Sequence, residues 1–314
     1  MKNVSKLTEG AILLAVFAVL MFITIYIPIL GIITNLVLPL PFVLFSVNNN
    51  LKYIGAFAIA AVFISFIAGS LIGLITVLMF GITGIVMGYM VQRKASRSAI
   101  LIGSSLILLV GLIITYAVNV AFFHFDFFKE LIDLFKRSEA MTEDIMKSSG
   151  KTDQLKKVKQ QYEMIFQMIH TLAPSLFIFA SIFYAGLIQL ICFPIAKRFG
   201  MKVPIWGEFR NLTLPRSLLW YFLIAIGANM LFHPQEGTFL YIVLQNAFYI
   251  LEMFMVIQGL SFIFFILYQK SAAKGLGVII VILAFTIPTI HYIIMLLGIT
   301  DMGFDFRKRF MNKE

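Results

Sequence analysis

The chain has 314 residues, 61% of them hydrophobic and 13% charged, with 25 lysines and arginines against 15 acids. A soluble domain runs at roughly 45–50% apolar and about 25% charged, so a mean hydropathy of +0.96 means more apolar surface than one water-facing core can hide. Composition thus excludes soluble enzymes, nucleic-acid readers and disulfide-stapled secreted modules, and the lone Cys192 supports neither redox nor zinc chemistry.

Apolar runs at 11–27, 54–90 and 279–297 are each long enough to cross about 30 Å of hydrocarbon. The expected fold is all-α: a polytopic bundle of eight or nine transmembrane helices with a helical hairpin outside the membrane. Candidate spans are residues 10–28, 31–47, 52–69, 71–91, 98–123, 171–196, 216–233, 238–268 and 275–298. The first run exceeds a signal-peptide core of about 7–15 residues and no A-x-A site ends it, so it reads as a retained span. Pro28, Gly31, Pro39 and Pro41 interrupt the first pair. One member is expected to be broken or re-entrant, a backbone tolerated at membrane depth only when buried in protein or lining a cavity.

Small residues mark the next spans. Gly69-x-x-x-Gly73 and Gly84-x-x-x-Gly88 let helix backbones approach closely and read first as packing. Basic clusters set the orientation: Lys2 and Lys6, Lys52, Arg93 with Lys94 and Arg97, Lys197 with Arg198 and Lys202, and Lys270 with Lys274. All lie inside if nine segments cross, which places the N-terminus in the cytoplasm, and there the net charge of +10 meets anionic lipid. Arg307, Lys308 and Arg309 break the pattern. They fall outside after a ninth crossing, or inside if one segment does not cross and the spans number eight.

Four stretches organise the chain: 1–97, 98–196 with the non-membrane insertion 124–170, the interfacial segment 197–216, and 217–314. In the insertion, Leu131, Phe135, Ser138, Met141 and Ile145 recur at helical spacing until Ser148-Ser149-Gly150. Thr152 or Asp153 can then cap a second helix carrying Leu155, Val158, Tyr162, Ile165 and Ile169. The pair forms either two helices packed on each other or a lid or partner-docking element.

The most costly residue is Glu252, mid-way along an apolar run, where a carboxylate costs at least about 2.5–3.5 kcal/mol and must face protein or water. Gln245, Tyr249 and Glu252 share one helix face, flanked by Asn246. This polar stripe points to a ligand cavity or to an interhelical hydrogen-bond seam. Candidate companions are His291, three residues after Pro288, and Asn229; a buried, satisfied histidine is the alternative for His291. Trp206, Phe209 and Arg216 can anchor the 203–216 stretch at the headgroup boundary or dock a partner. No phosphate-binding loop, zinc motif or nucleophile elbow occurs. Histidines 124, 170, 233 and 291 are too scattered for a metal site, so neither a cofactor nor a metal nor an enzyme is expected.

Two tracts carry a resemblance: Phe209…Leu214-Pro215-Arg216 with Trp220, and Asp301…Phe304-Asp305-Phe306-Arg307-Lys308-Arg309. They resemble the YybS family of uncharacterised bacterial membrane proteins over nearly the whole chain, which implies a multi-pass protein of the bacterial plasma membrane. Residues 1–95 are also similar to the front of the substrate-binding S components of energy-coupling-factor transporters. The shared features are the basic N-terminus, Ala11-x-x-x-Ala15 on the first span, the Pro-broken connection and the glycine-dense helices ending in Arg93-Lys94. In that superfamily the A-x-x-x-A face docks a transmembrane coupling subunit and two separate ATPases drive the S component. This likeness implies that Ala11 and Ala15 are docking residues. Glu252 lies beyond the resembling part, so its role is not inherited. The expected function is a small-solute-binding transport subunit without its own motor. The alternative is a non-transporting scaffold or regulatory protein that holds partners through the hairpin and the 203–216 stretch.

Overall fold

A computed structural model describes residues 2–149, 154–304 and 306–307. Eleven helices occur among them: α1 Lys2–Tyr26, α2 Pro28–Val37, α3 Leu40–Asn48, α4 Leu51–Gln92, α5 Arg97–Phe123, α6 Phe127–Ser148, α7 Leu155–Arg198, α8 Ser217–Phe232, α9 Phe239–Gln269, α10 Lys274–Thr286 and α11 Pro288–Phe304. A 3-10 turn, Phe209–Asn211, precedes α8. The expected all-helical membrane architecture is present. The proposed cap at Thr152 or Asp153 and the basic Lys308 and Arg309 lie outside the described residues. Local chemistry sets many boundaries: Pro28 opens α2, while Ser96 and Thr238 cap α5 and α9 by accepting the amides of Ala99 and Tyr241. Such oxygens satisfy amide donors that a helix start leaves orphaned.

The chain divides into two compact units, residues 1–135 with 176–205, and residues 136–175 with 206–314. The first is built on α4, which does not run straight. Gly69 and Ser70 leave helical geometry, Ser70 at φ 49°, and a Cβ on Gly73 would strike the Ser65 carbonyl. A straight helix of 42 residues would extend about 63 Å. Instead, Gln92 at its end donates to the carbonyl of Asn49, just before its start, at 2.9 Å. α4 is therefore a helical hairpin whose legs match the expected spans 52–69 and 71–91. Its second leg lies on α3: a Cβ on Gly84 would sit 2.5 Å from the Pro39 carbonyl and one on Gly88 2.7 Å from the Val43 carbonyl. Around this crossing Phe17, Phe42, Phe45 and Phe57 interlock, with ring centroids 4.5–5.3 Å apart, inside the apolar core.

In the second unit the end of α6 and the start of α7 form the expected hairpin. Tyr162 bonds Ser138 at 3.2 Å, and Glu143 pairs with Lys147 at 2.8 Å and Lys159 at 3.1 Å. α7 runs on without a break into an apolar stretch. Elsewhere α9 carries the packing. A Cβ on Gly259 would strike the Ile294 carbonyl, and one on Gly298 the Met255 carbonyl, so α9 and α11 touch backbone to backbone.

The register of that crossing decides the end of the chain. Contacts pair Glu252 with His291, Gln258 with Asp301 and Ser261 with Arg307; both numbers rise together, so α9 and α11 run parallel. α10 has 13 residues, about 20 Å at 1.5 Å per residue and too short for the hydrocarbon layer. It is bent by 112° from α11 at Ile287. The α10–α11 pair thus enters and leaves on the side where α9 ends. The expected single span over 275–298 is instead a re-entrant hairpin, and Arg307 lies at the same end of α9 as Lys270. Among the described residues six helices are long and apolar enough to cross, or up to seven with the bent pair taken as one span. This is fewer than the expected eight or nine because α4 counts once and the 16-residue α8 falls short.

Candidate functional site

The re-entrant tip is a consequence of proline chemistry. Pro288 has no amide hydrogen, so the Ala284 carbonyl, its partner four residues back in a regular helix, is left free. His291 takes that oxygen: its Nδ1 lies 3.2 Å from it, and because a carbonyl only accepts, Nδ1 carries the hydrogen. Nε2 is thereby turned toward Glu252, 3.5 Å from Oε1. Both side chains are largely enclosed, 16% and 11% exposed for the imidazole and the carboxylate. Two lone pairs facing each other at this distance would repel, so the contact is attractive only with a proton held on one of them. The pair lies beside the break at Ile287, with His291 in the first turn of α11.

Of the residues expected to join Glu252, the structure brings His291 into direct contact with it. Gln245 and Tyr249 are half-buried on the neighbouring turns of α9. Asn246 is spent elsewhere. Its amide donates to the carbonyls of Thr171 at 2.6 Å and Ile242 at 2.7 Å, and its Oδ1 accepts from the amide and hydroxyl of Ser175. All four of its hydrogen-bonding positions are filled within the protein, which makes it a fastener between α7 and α9. Asn229 is half-buried on α8 and, among the described residues, bonds neither member of the pair.

A second buried polar cluster escaped the sequence reading. Asp301 and Arg307 are 4% and 8% exposed and meet at 3.0 Å. Gln258 donates to Asp301 at 2.6 Å and accepts the amide of Leu214 at 2.9 Å. The Arg307 guanidinium also donates to the Arg210 carbonyl at 2.7 Å and to Ser261 at 3.0 Å, and the Ser261 hydroxyl reaches the carbonyls of Phe209 and Leu212, each at 2.8 Å. The network stitches the 209–214 segment onto α9 and α11. Its sequence signal is faint: a carboxylate and a guanidinium at the end of one apolar helix, and two neutral polar residues one turn apart in another.

The expected docking residues all lie at the surface. Ala11 and Ala15 are exposed along α1. Trp206 and Phe209 are 37% and 42% exposed, Phe209 with its ring edge-on to Phe264, and Arg216 is exposed just before α8.

No solved structure matches the chain. "Uncharacterized protein YybS" of Bacillus subtilis (strain 168) is 33% identical over 312 residues, 98% of this chain and 99% of that protein. Residues 15–302 match the family described as "Predicted membrane protein (DUF2232)", a stretch that holds both the Glu252–His291 pair and Asp301. The chain belongs to the DUF2232 family of membrane proteins.

Proposed function

We propose that this protein is a small-solute-binding transport subunit of the bacterial plasma membrane, its N-terminus cytoplasmic and its motor supplied by other chains. One observation carries the reading: a carboxylate–imidazole pair, 3.5 Å apart, enclosed at the tip of a re-entrant helical hairpin. Irregular backbone at membrane depth survives where it lines a cavity, transporters bind substrate near the midplane on broken helices, and intramembrane Glu–His pairs commonly serve proton relays. In this reading Glu252 and His291, with Gln245 and Tyr249 on the adjoining face, hold solute or proton, and no residue is assigned a catalytic step. Ala11 and Ala15 are the docking face for a coupling subunit with its ATPases, as the S-component likeness suggests. With the tail on the side where α9 ends, Arg307 joins the other basic clusters in the cytoplasm.

The test is native mass spectrometry of the full chain purified in mild detergent. Glu252→Ala and His291→Ala are expected to lose a small molecule that the wild type retains, while Glu252→Gln keeps part of it. Equal small-molecule occupancy in all four proteins overturns the assignment. A second reading, a membrane scaffold, is favoured by one observation: Met141, Ile145, Met164 and Met168 on the extramembrane hairpin are 55–67% exposed. It predicts that polar substitutions there abolish cross-linking to a partner chain and leave solute retention untouched.

A further inference from the structure

A cleft of about 990 Å³ opens between the Glu208–Asn211 stretch, the end of α9 and the start of α10. That is the upper end of the roughly 300–1,000 Å³ typical of small-molecule sites. One wall is aromatic, with Phe264, Phe265 and Tyr268 from α9; the other is ionic, with Glu208, Arg210 and Asn211. The cleft lies where a membrane-spanning helix ends, the depth at which amphipathic rings meet lipid headgroups.

The ionic wall is only half satisfied. Arg210 lies over the Tyr268 ring and donates through Nε to Oε2 of Glu208 at 2.7 Å, with Nη2 making a second contact to that oxygen. Asn211 donates to the same Oε2 at 3.3 Å. All three protein donors therefore converge on one carboxylate oxygen. Nη1 of Arg210 finds no acceptor, and Oε1 of Glu208 no donor, among the described residues. The Glu208 side chain is 60% exposed. The backbone beneath is immobilised, since Arg307 holds the Arg210 carbonyl and Ser261 those of Phe209 and Leu212. A donor and an acceptor of full opposite charge are thus presented side by side on a rigid stretch next to an aromatic wall.

We propose that this cleft binds a phospholipid with a zwitterionic, primary-amine headgroup. The phosphate is received by Nη1 of Arg210, the ammonium by Oε1 of Glu208, and the glycerol and upper acyl chain lie along Phe264, Phe265 and Tyr268. A headgroup with both charges leaves neither member of the Glu208–Arg210 pair uncompensated. A purely anionic headgroup brings no partner for Glu208, and a quaternary amine cannot donate a hydrogen bond to it. The proposal is independent of the Glu252 site.

The experiment offers delipidated full-length protein in detergent dioleoyl phosphatidylethanolamine, phosphatidylglycerol or phosphatidylcholine, and counts bound lipid by native mass spectrometry. Wild-type protein is expected to bind the ethanolamine lipid about tenfold more tightly than either other, the effect of one added charge-assisted contact. Arg210→Gln lowers ethanolamine-lipid binding about tenfold; the tie to Arg307 runs through the main chain and survives. Glu208→Gln brings ethanolamine lipid down to the level of the glycerol lipid. Equal binding of the three lipids by the wild type overturns the proposal, whether or not the variants fold. So does a preference that survives both substitutions.

Discussion

Two helix crossings in this chain depend on glycine, and they put the resulting closeness to different use. In the first unit Gly84 and Gly88 let α4 lie on α3, and the space fills with interlocked phenylalanines. Polar atoms caught nearby gain nothing: Ser46 Oγ and Asn49 Oδ1 are buried without a hydrogen-bond partner. In the second unit Gly259 and Gly298 bring α9 and α11 closer still, but here the polar groups are wired together, Glu252 to His291 and Gln258 to Asp301 to Arg307. Glycine permits the close approach in both; what differs is whether the closeness sets apolar side chains or charged ones in register. The first crossing is packing. The second is a scaffold for buried polar pairs.

The contrast breaks most severely at Gly298. A leucine there must displace the Met255 backbone, so Gly298→Leu is expected to cost about 3 kcal/mol or more and to lower the melting temperature in detergent sharply. Gly55→Ala, with nothing within 4 Å of the added carbon, should gain up to about 1 kcal/mol from helix propensity. If both variants melt with the wild type, α9 and α11 do not cross where described.

Next in size is the ion pair. Asp301→Asn leaves the Arg307 charge buried without its counter-ion and should cost about 3–5 kcal/mol, whereas replacing both residues by apolar ones of similar volume recovers much of the loss. A double-mutant cycle on thermal unfolding reads the coupling. Ser46→Ala in the first unit deletes an oxygen that bonds nothing, so a change within about 0.5 kcal/mol is expected. A loss at Ser46 as large as at Asp301 would erase the distinction between the crossings.

The smallest effect is at the extramembrane hairpin. Hydrogen bonds from Lys147 and Lys159 hold the Glu143 carboxyl below its ordinary value of 4.5. A depressed folded-state value means that the contribution is present above the unfolded value and fades as pH falls through the folded one. The loss therefore lies below pH 4.5. Hairpin helicity followed by circular dichroism should decline there, and Glu143→Gln should flatten that part of the curve. Because both lysine partners are exposed to solvent, 0.5 M salt should mute the difference.

Much of the architecture was legible in the residues. The two legs of α4 were predictable from an apolar run interrupted by small residues, and the hairpin from helical spacing that stops at Ser148. The broken last span was signalled by Pro288. The site was legible in part. Glu252 stood out through its cost in hydrocarbon, and His291 through the proline beside it, but Asn246 looked like its neighbour and serves α7 instead. Asp301 and Arg307 were visible as a family-like tail, with nothing to mark them as buried partners of Gln258 and Ser261.

The division has a physical cause. Hydrocarbon offers the backbone no hydrogen bonds, so any long apolar stretch must close its own as a helix, and a mid-depth carboxylate must find company. Both follow from composition along the chain. Which company it finds depends on the parallel register of α9 and α11, set by where two glycines let the backbones touch, and on a carbonyl that Pro288 leaves free for His291. Those are meetings between residues distant in sequence, and only the packed tertiary structure chooses them.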